Sequence, residues 1–235
     1  MNESDAWPVY VLSTSEAQER QDAMRQWLST VPELTDFRMF VSERDVENTR
    51  RGCFRAHQRW AEAMLDDPRQ PQWALVFEDD VTTPLDAESV SDLLTELKVF
   101  VSEGGQGASA NIVFLGHMPL GPMERMQDTP FAWSRHSTLT HAMAVSREAA
   151  ARMLGWDAET SGHVDQMIAF SGLKQAALYP QAMFQKDLPS FHTRWQERAL
   201  MRLRNFVGAR WVVRVAELVA VYAPRLMLTK KIKEQ

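Results

Sequence analysis

Cysteine is almost missing from this chain. Cys53 is the only one in 235 residues, which excludes an intramolecular disulfide framework and fits a reducing compartment. Long apolar runs are missing too: no 18-residue stretch is apolar and free of charge, so no spanning helix is expected. Met1 to Pro8 carries two acids and no basic lead-in, so no secretory signal is expected and the expected location is cytoplasmic. Neither internal repeats nor low-complexity segments are found, which sets aside solenoids and linker arrays. What remains is an ordinary globular composition. Apolar residues make up 45% and charged ones 24%, enough at this length to bury the core of one large α/β domain or two small ones.

Charge is unevenly placed. Arg194 to Gln235 holds ten Lys/Arg against three Asp/Glu, a net of +7 in a chain of −5, so residues 1–193 carry −12. This divides the chain into a body, 1–193, and a basic tail, 194–235. In the tail Arg198, Arg202, Arg210 and Arg214 are spaced by 4, 8 and 4, with Leu203, Phe206, Val207, Val213 and Leu218 between them. Such a segment reads as a helix lying on an anionic membrane, peripheral to its inner face, or as a helix packed on the acidic body. Both readings stay open. No nucleic-acid partner is expected.

The densest chemistry lies in Leu75-Val76-Phe77-Glu78-Asp79-Asp80-Val81-Thr82. An apolar run that stops at three carboxylates, with Pro84 beyond, reads as a buried strand ending in an acidic turn. Alternation along a strand puts Glu78 and Asp80 on one face and Asp79 on the other. Three adjacent carboxylates repel unless donors or a cation neutralise them. The edge where they sit is where open α/β sheets bind ligands. Hard oxygen ligands there suit Mg²⁺ or Mn²⁺ on a phosphorylated substrate; the plainer alternative is a solvated loop.

The rest of the body alternates strand and helix. Strands are expected at 9–12, 37–41, 73–77, 112–115, 141–145 and 176–179, and helices at 16–28, 53–65, 87–101, 147–154 and 164–171. On the third element Cys53, His57, Trp60, Ala61 and Met64 share one helical face, so His57 reads as a buried residue beneath the site. Residues 118–133, with three prolines, read as a long excursion of the lid or acceptor-loop kind. This order predicts a mostly parallel sheet with helices on both faces.

Four ordered blocks resemble glycosyltransferase family 25, which includes bacterial lipooligosaccharide galactosyltransferases and procollagen galactosyltransferases. They are the first strand with Glu19-Arg20; Arg51-Gly52-Cys53-Phe54-Arg55-Ala56-His57, similar to the family's Gly-Cys-x-x-Ser-His; Ala74 to Val81 with its acidic triplet; and His141 to Leu154 followed by His163-Val164-Asp165. The likeness spans roughly residues 7–192. Ala56 stands where the family has Ser, and Ser13-Thr14 where it commonly has Asn-Leu.

The resemblance implies a GT-A-type fold that binds a nucleotide sugar, with UDP-galactose the expected donor. It implies a divalent cation, Mn²⁺ or Mg²⁺, on the donor diphosphate, and a glycan or glycolipid acceptor such as a surface polysaccharide precursor. By position Asp80 becomes the metal ligand, with His192 resembling the family's late metal histidine. Glu78 becomes a second ligand or ribose contact, and Asp79 an orienting group. Ser13, Thr14 and Arg20 fall at the nucleotide end. Asp165 becomes the base of an inverting transfer, its alternative being a helix N-cap. His117 is a candidate substrate contact, while His163 is expected in a surface or packing role. Two rival functions stay open: an inactive sugar-nucleotide or glycan-binding protein of the same fold, and a metal-dependent phosphohydrolase.

Overall fold

In a computed structural model, residues 6–159 and 162–186 are described. His192 and the basic tail 194–235 lie outside them. An eight-stranded sheet forms the centre, in the order β2-β1-β3-β8-β5-β9-β7-β6. The strands are β1 (Val9–Thr14), β2 (Phe37–Ser42), β3 (Trp73–Glu78), β5 (Ile112–Pro119), β6 (Met123–Arg125), β7 (Phe131–Ser134), β8 (Ser137–Ser146) and β9 (Gln175–Leu178). A separate ribbon pairs β4 (Val81–Thr82) with β10 (Phe184–Gln185).

Strand parity sorts the core into two layers. Val9, Val11, Leu75, Phe77, Val113 and Leu115 face α1 (Gln18–Leu28) and α3 (Ala87–Val101). The residues between them, Tyr10, Leu12, Ala74, Val76, Ile112 and Phe114, face α2 (Thr49–Leu65), α4 (Arg147–Leu154) and α5 (Val164–Phe170). Both faces of β1 and β3 are therefore apolar, as a sheet covered on both sides requires. Helices on both faces were expected and are found.

Local signals start three of the helices. Asn48, Asp86 and Ser146 each accept a backbone N–H of the first turn, from Arg51, Ser89 and Ala149. Caps of this kind stabilise a helix by about 1 kcal/mol. The face read on α2 holds for His57, Trp60, Ala61 and Met64, all of them buried, whereas Cys53 is only half-buried and Phe54 takes its place in the core. No helix among the described residues is long and apolar enough to cross a membrane.

Strand direction is mostly as expected, with two exceptions. Six of the eight strands point one way, but β7 and β8 run against them, which makes β3·β8, β5·β8, β6·β7 and β7·β9 antiparallel. A local pattern marks β8 as a strand without fixing its direction, and β8 slots between β3 and β5. The excursion at 118–133 is corrected as well. The end of β5, all of β6 and the start of β7 fold it onto the sheet edge, with Phe131 and Ala132 buried.

The turn after β3 is clamped from the far end of the described chain. Thr82 pairs with Phe184 and Val81 with Gln185, the Lys186 N–H donates to the Asp80 carbonyl at 2.7 Å, and the Thr83 hydroxyl to the Ala182 carbonyl at 2.9 Å. Gly116 makes this approach possible. A Cβ there would lie 2.1 Å from His141 Nε2 and 2.4 Å from the Met183 carbonyl oxygen, and the backbone oxygen cannot swing aside. Gly116→Ala is expected to lower stability by about 1–3 kcal/mol or more, read as a lower urea midpoint with an unchanged slope.

Candidate functional site

Parallel pairing of β1 with β3 brings two chain exits together. Leu12 is in register with Glu78, and the Asp79 N–H donates to the Leu12 carbonyl at 3.0 Å. Ser13-Thr14 thus leaves the sheet beside Asp79-Asp80, at the carboxyl ends of parallel strands.

Core parity continues into the acidic triplet. Glu78 follows Ala74 and Val76 toward α2 and β8. Its Oε1 accepts the Thr140 hydroxyl at 2.6 Å and lies 3.6 Å from His57 Nε2. Asp79 follows Leu75 and Phe77 toward α1, accepting the Ser13 hydroxyl at 2.5 Å, with Arg20 Nε at 3.4 Å. The expected split of Glu78 from Asp79 is observed. Asp80 is governed differently, because β3 ends at Glu78 and the clamped turn, not strand alternation, places it.

The three carboxylates differ in how far they are satisfied. Glu78 is pushed up by burial, but the His57 and Thr140 contacts bring it net below its ordinary range. Asp79 stays above its ordinary value because burial outweighs Ser13 and Arg20. Asp80 is the outlier. Its Oδ2 accepts from Gln185 at 3.2 Å, whereas its Oδ1 is buried with no hydrogen-bond partner among the described residues. Burial, then the charges of Glu78 and Asp79, push Asp80 up to about 7.

Asp165 is the second residue of α5 and not its cap. The cap position falls to His163, which makes no side-chain capping bond. Instead the His163 ring, through Nδ1, pairs with Asp165 Oδ1. Burial pushes Asp165 up, and the hydrogen bond and charge of His163 bring it net below its ordinary value; the same bond raises His163. His163 is therefore corrected from a surface or packing role to the partner of Asp165, which an acid two positions along the chain already hinted at. Asp165 also raises Glu78 electrostatically, and both join Asp80 in raising the Cys53 thiol, after burial itself. One neighbourhood thus holds Glu78, Asp80, Asp165, His57 and Cys53.

Other candidates sort as follows. Ser13 is committed to Asp79, and a quarter of the Arg20 side chain stays exposed beside it. Thr14 contributes its carbonyl, which takes the Gln21 amide at 2.9 Å. His117 does not reach the site: it is buried within β5, its Nε2–H meets the Leu178 carbonyl at 3.2 Å, and burial lowers it to about 4. Thr140 and Gln185 were missed, and nothing local marks either, since they stand 62 and 105 positions from their partners.

Among the described residues no three His, Cys, Asp or Glu side chains converge to hold a metal ion. A divalent cation on a diphosphate needs fewer, because Mg²⁺-type sites use one or two carboxylates with substrate phosphates and water. The orphaned Asp80 oxygen fits that arrangement.

No family model matches the chain, and no curated protein matches it in sequence. A crystal structure of a glycosyltransferase involved in glycosylation of the major capsid of PBCV-1 is similar at 13% identity and a TM-score of 0.48, over 83% of this chain and 98% of that one. A crystal structure of a protein from STIV is similar at 11% identity and a TM-score of 0.37, over 73% and 81%. At these scores neither likeness decides the fold or the activity.

The state of Asp80 predicts a pH dependence. Its carboxyl is raised from 3.8 to about 7 on folding, so the fold takes up a proton between those values. Stability from this group is full below about pH 4 and is lost as pH rises through about 7, by on the order of 2–4 kcal/mol. In EDTA, Asp80→Asn is expected to exceed the parent in urea stability at pH 8, with the gap closing toward pH 4. A gap that stays constant with pH would show that Asp80 is not strained.

Proposed function

We propose that this chain transfers a hexose from a nucleotide sugar to an acceptor hydroxyl with inversion, with UDP-galactose the first donor to test. The observation that carries the reading is the buried, half-satisfied carboxylate of Asp80 at the shared exit of β1 and β3. A buried carboxylate left short of one partner at the carboxyl ends of parallel strands is suited to a ligand that brings positive charge.

Each residue then has a task. Asp80 would hold a divalent cation, which when bound neutralises charge on the departing diphosphate. Arg20, anchored on Asp79, sits at the same exit with part of its side chain open. Asp165 takes the proton of the attacking hydroxyl. Pairing with His163 holds its carboxyl below the ordinary range and fixes one oxygen. A glycolipid or polysaccharide precursor is the acceptor class proposed, by the resemblance to family 25. His192 as a further ligand, and the tail as a contact to an anionic membrane, remain proposals on segments outside the described residues.

Thermal shift against a panel of nucleotide sugars, with and without Mn²⁺, tests the reading. Ligand at about 100-fold its Kd adds about 2.7 kcal/mol of apparent stability. The donor is expected to raise Tm only with the cation present. Asp80→Asn should lose that cation-dependent part relative to its own ligand-free Tm. Asp165→Asn should keep donor binding while turnover falls on the order of 10²-fold or more. Full activity of Asp80→Asn in EDTA, or no shift from any nucleotide sugar, overturns the proposal.

A further inference from the structure

Beneath Glu78 lies a histidine whose proton position the fold dictates. His57 is 1% exposed, so water does not set its state. Trp60 stands one helical turn on, and its Nε1 lies 3.1 Å from His57 Nδ1. An indole N–H only donates, so Nδ1 must present its lone pair, and the ring proton must sit on Nε2. The two rings meet edge-on at 78°, which suits an in-plane bond to that nitrogen. Nε2 has no hydrogen-bond partner among the described residues, and the group it faces is Glu78 Oε1 at 3.6 Å. That distance is beyond a formed hydrogen bond. His57 is thus a buried donor loaded toward a carboxylate and a few tenths of an ångström short of it.

Glu78 is held from the other side by Thr140 on the same oxygen. Both contacts converge on Oε1, from α2 and from β8, and about a quarter of the Glu78 side chain stays open. We propose that His57 is a positioning residue: with its tautomer locked by Trp60, it closes its Nε2–H onto Glu78 and fixes the direction in which that carboxylate meets the substrate. Contacts of this kind are often long in unliganded sites and tighten on binding. The functional part rests on the glycosyl-transfer reading; the tautomer and the donor do not.

Two measurements keep them apart. In ¹⁵N-histidine NMR, with the His57 resonances assigned by their loss in His57→Gln, the parent is expected to show Nε2 protonated and Nδ1 bare. The Nε2–H proton should move upfield in Glu78→Gln, because a neutral amide is a weaker acceptor. In Trp60→Phe, which removes the donor and keeps the bulk, the single tautomer should give way to exchange between two. A bare Nε2 in the parent, or a proton signal indifferent to Glu78→Gln, overturns the proposal whatever the enzyme does.

Kinetics supply the second arm. His57→Leu removes the donor and should lower kcat/KM for the nucleotide sugar by roughly tenfold or more, the scale of lost supporting contacts around functional sites. His57→Gln restores an N–H near the Nε2 position and should recover most of that loss at equal Tm. Equal damage in both variants means that His57 is packing alone, and sinks the positioning role. If the NMR results hold while no nucleotide sugar is turned over by the parent, the transferase reading fails and the locked donor stands.

Discussion

Three carboxylates in succession at the end of a buried strand form an electrostatic problem that much of this architecture addresses. Leaving water costs an ionised carboxylate several kcal/mol unless donors replace the solvent. The fold solves the problem by parity. Because β3 is covered on both sides, Glu78 and Asp79 are delivered to opposite layers, each with its own partners: the Thr140 hydroxyl, with the His57 ring 3.6 Å away, on one side, and Ser13 and Arg20 on the other. Asp80 is the remainder. The turn carrying it is pinned by the β4–β10 ribbon, which supplies the Gln185 amide to one oxygen and leaves the other buried and bare.

That asymmetry separates the three residues by how far each carboxylate is satisfied. Asp79 ties the exit of β1 to that of β3 and acts mainly as structure. Glu78 is ionised and oriented. Asp80 is held in a state that folding disfavours at neutral pH, and such strain persists only where the surroundings over-determine the position. Here the surroundings do: the Lys186 and Gln185 contacts fix the turn, and the bulged β5 with Gly116 lets the 181–183 segment approach closely enough to make them.

Much of this was legible in the sequence, and the part that was not has a common cause. The buried strand with its acidic end, the apolar face of α2 with His57 upon it, and the bounds of α3 and α4 follow from periodicity and breakers, which are local. The orthogonal fates of Glu78 and Asp79 follow from strand alternation. What escaped was pairing at a distance. No local pattern says that β8 runs antiparallel between β3 and β5, so nothing announced Thr140 as the partner of Glu78. The same holds for the ribbon that brings Gln185 to Asp80, and for the folding of residues 118–133 onto the sheet. His163 is a different kind of miss, since its acid lies two positions away and the pair was readable at that spacing.

The antiparallel placement of β8 also decides what kind of site this is. Were β8 parallel to β3, its carboxyl end would lie beside the acidic turn and Thr140, early in the strand, would sit at the opposite edge. Running against β3, it places its early residues there instead, in register with Ala142 opposite Phe77. Thr140 then lies beyond that pair, alongside Glu78, and α5 packs against β8 on the α2 side. One reversed strand therefore brings a hydroxyl donor to Glu78 and supports the helix that carries Asp165. The acidic turn supplies the charge, and the reversal supplies the packing on its α2 side.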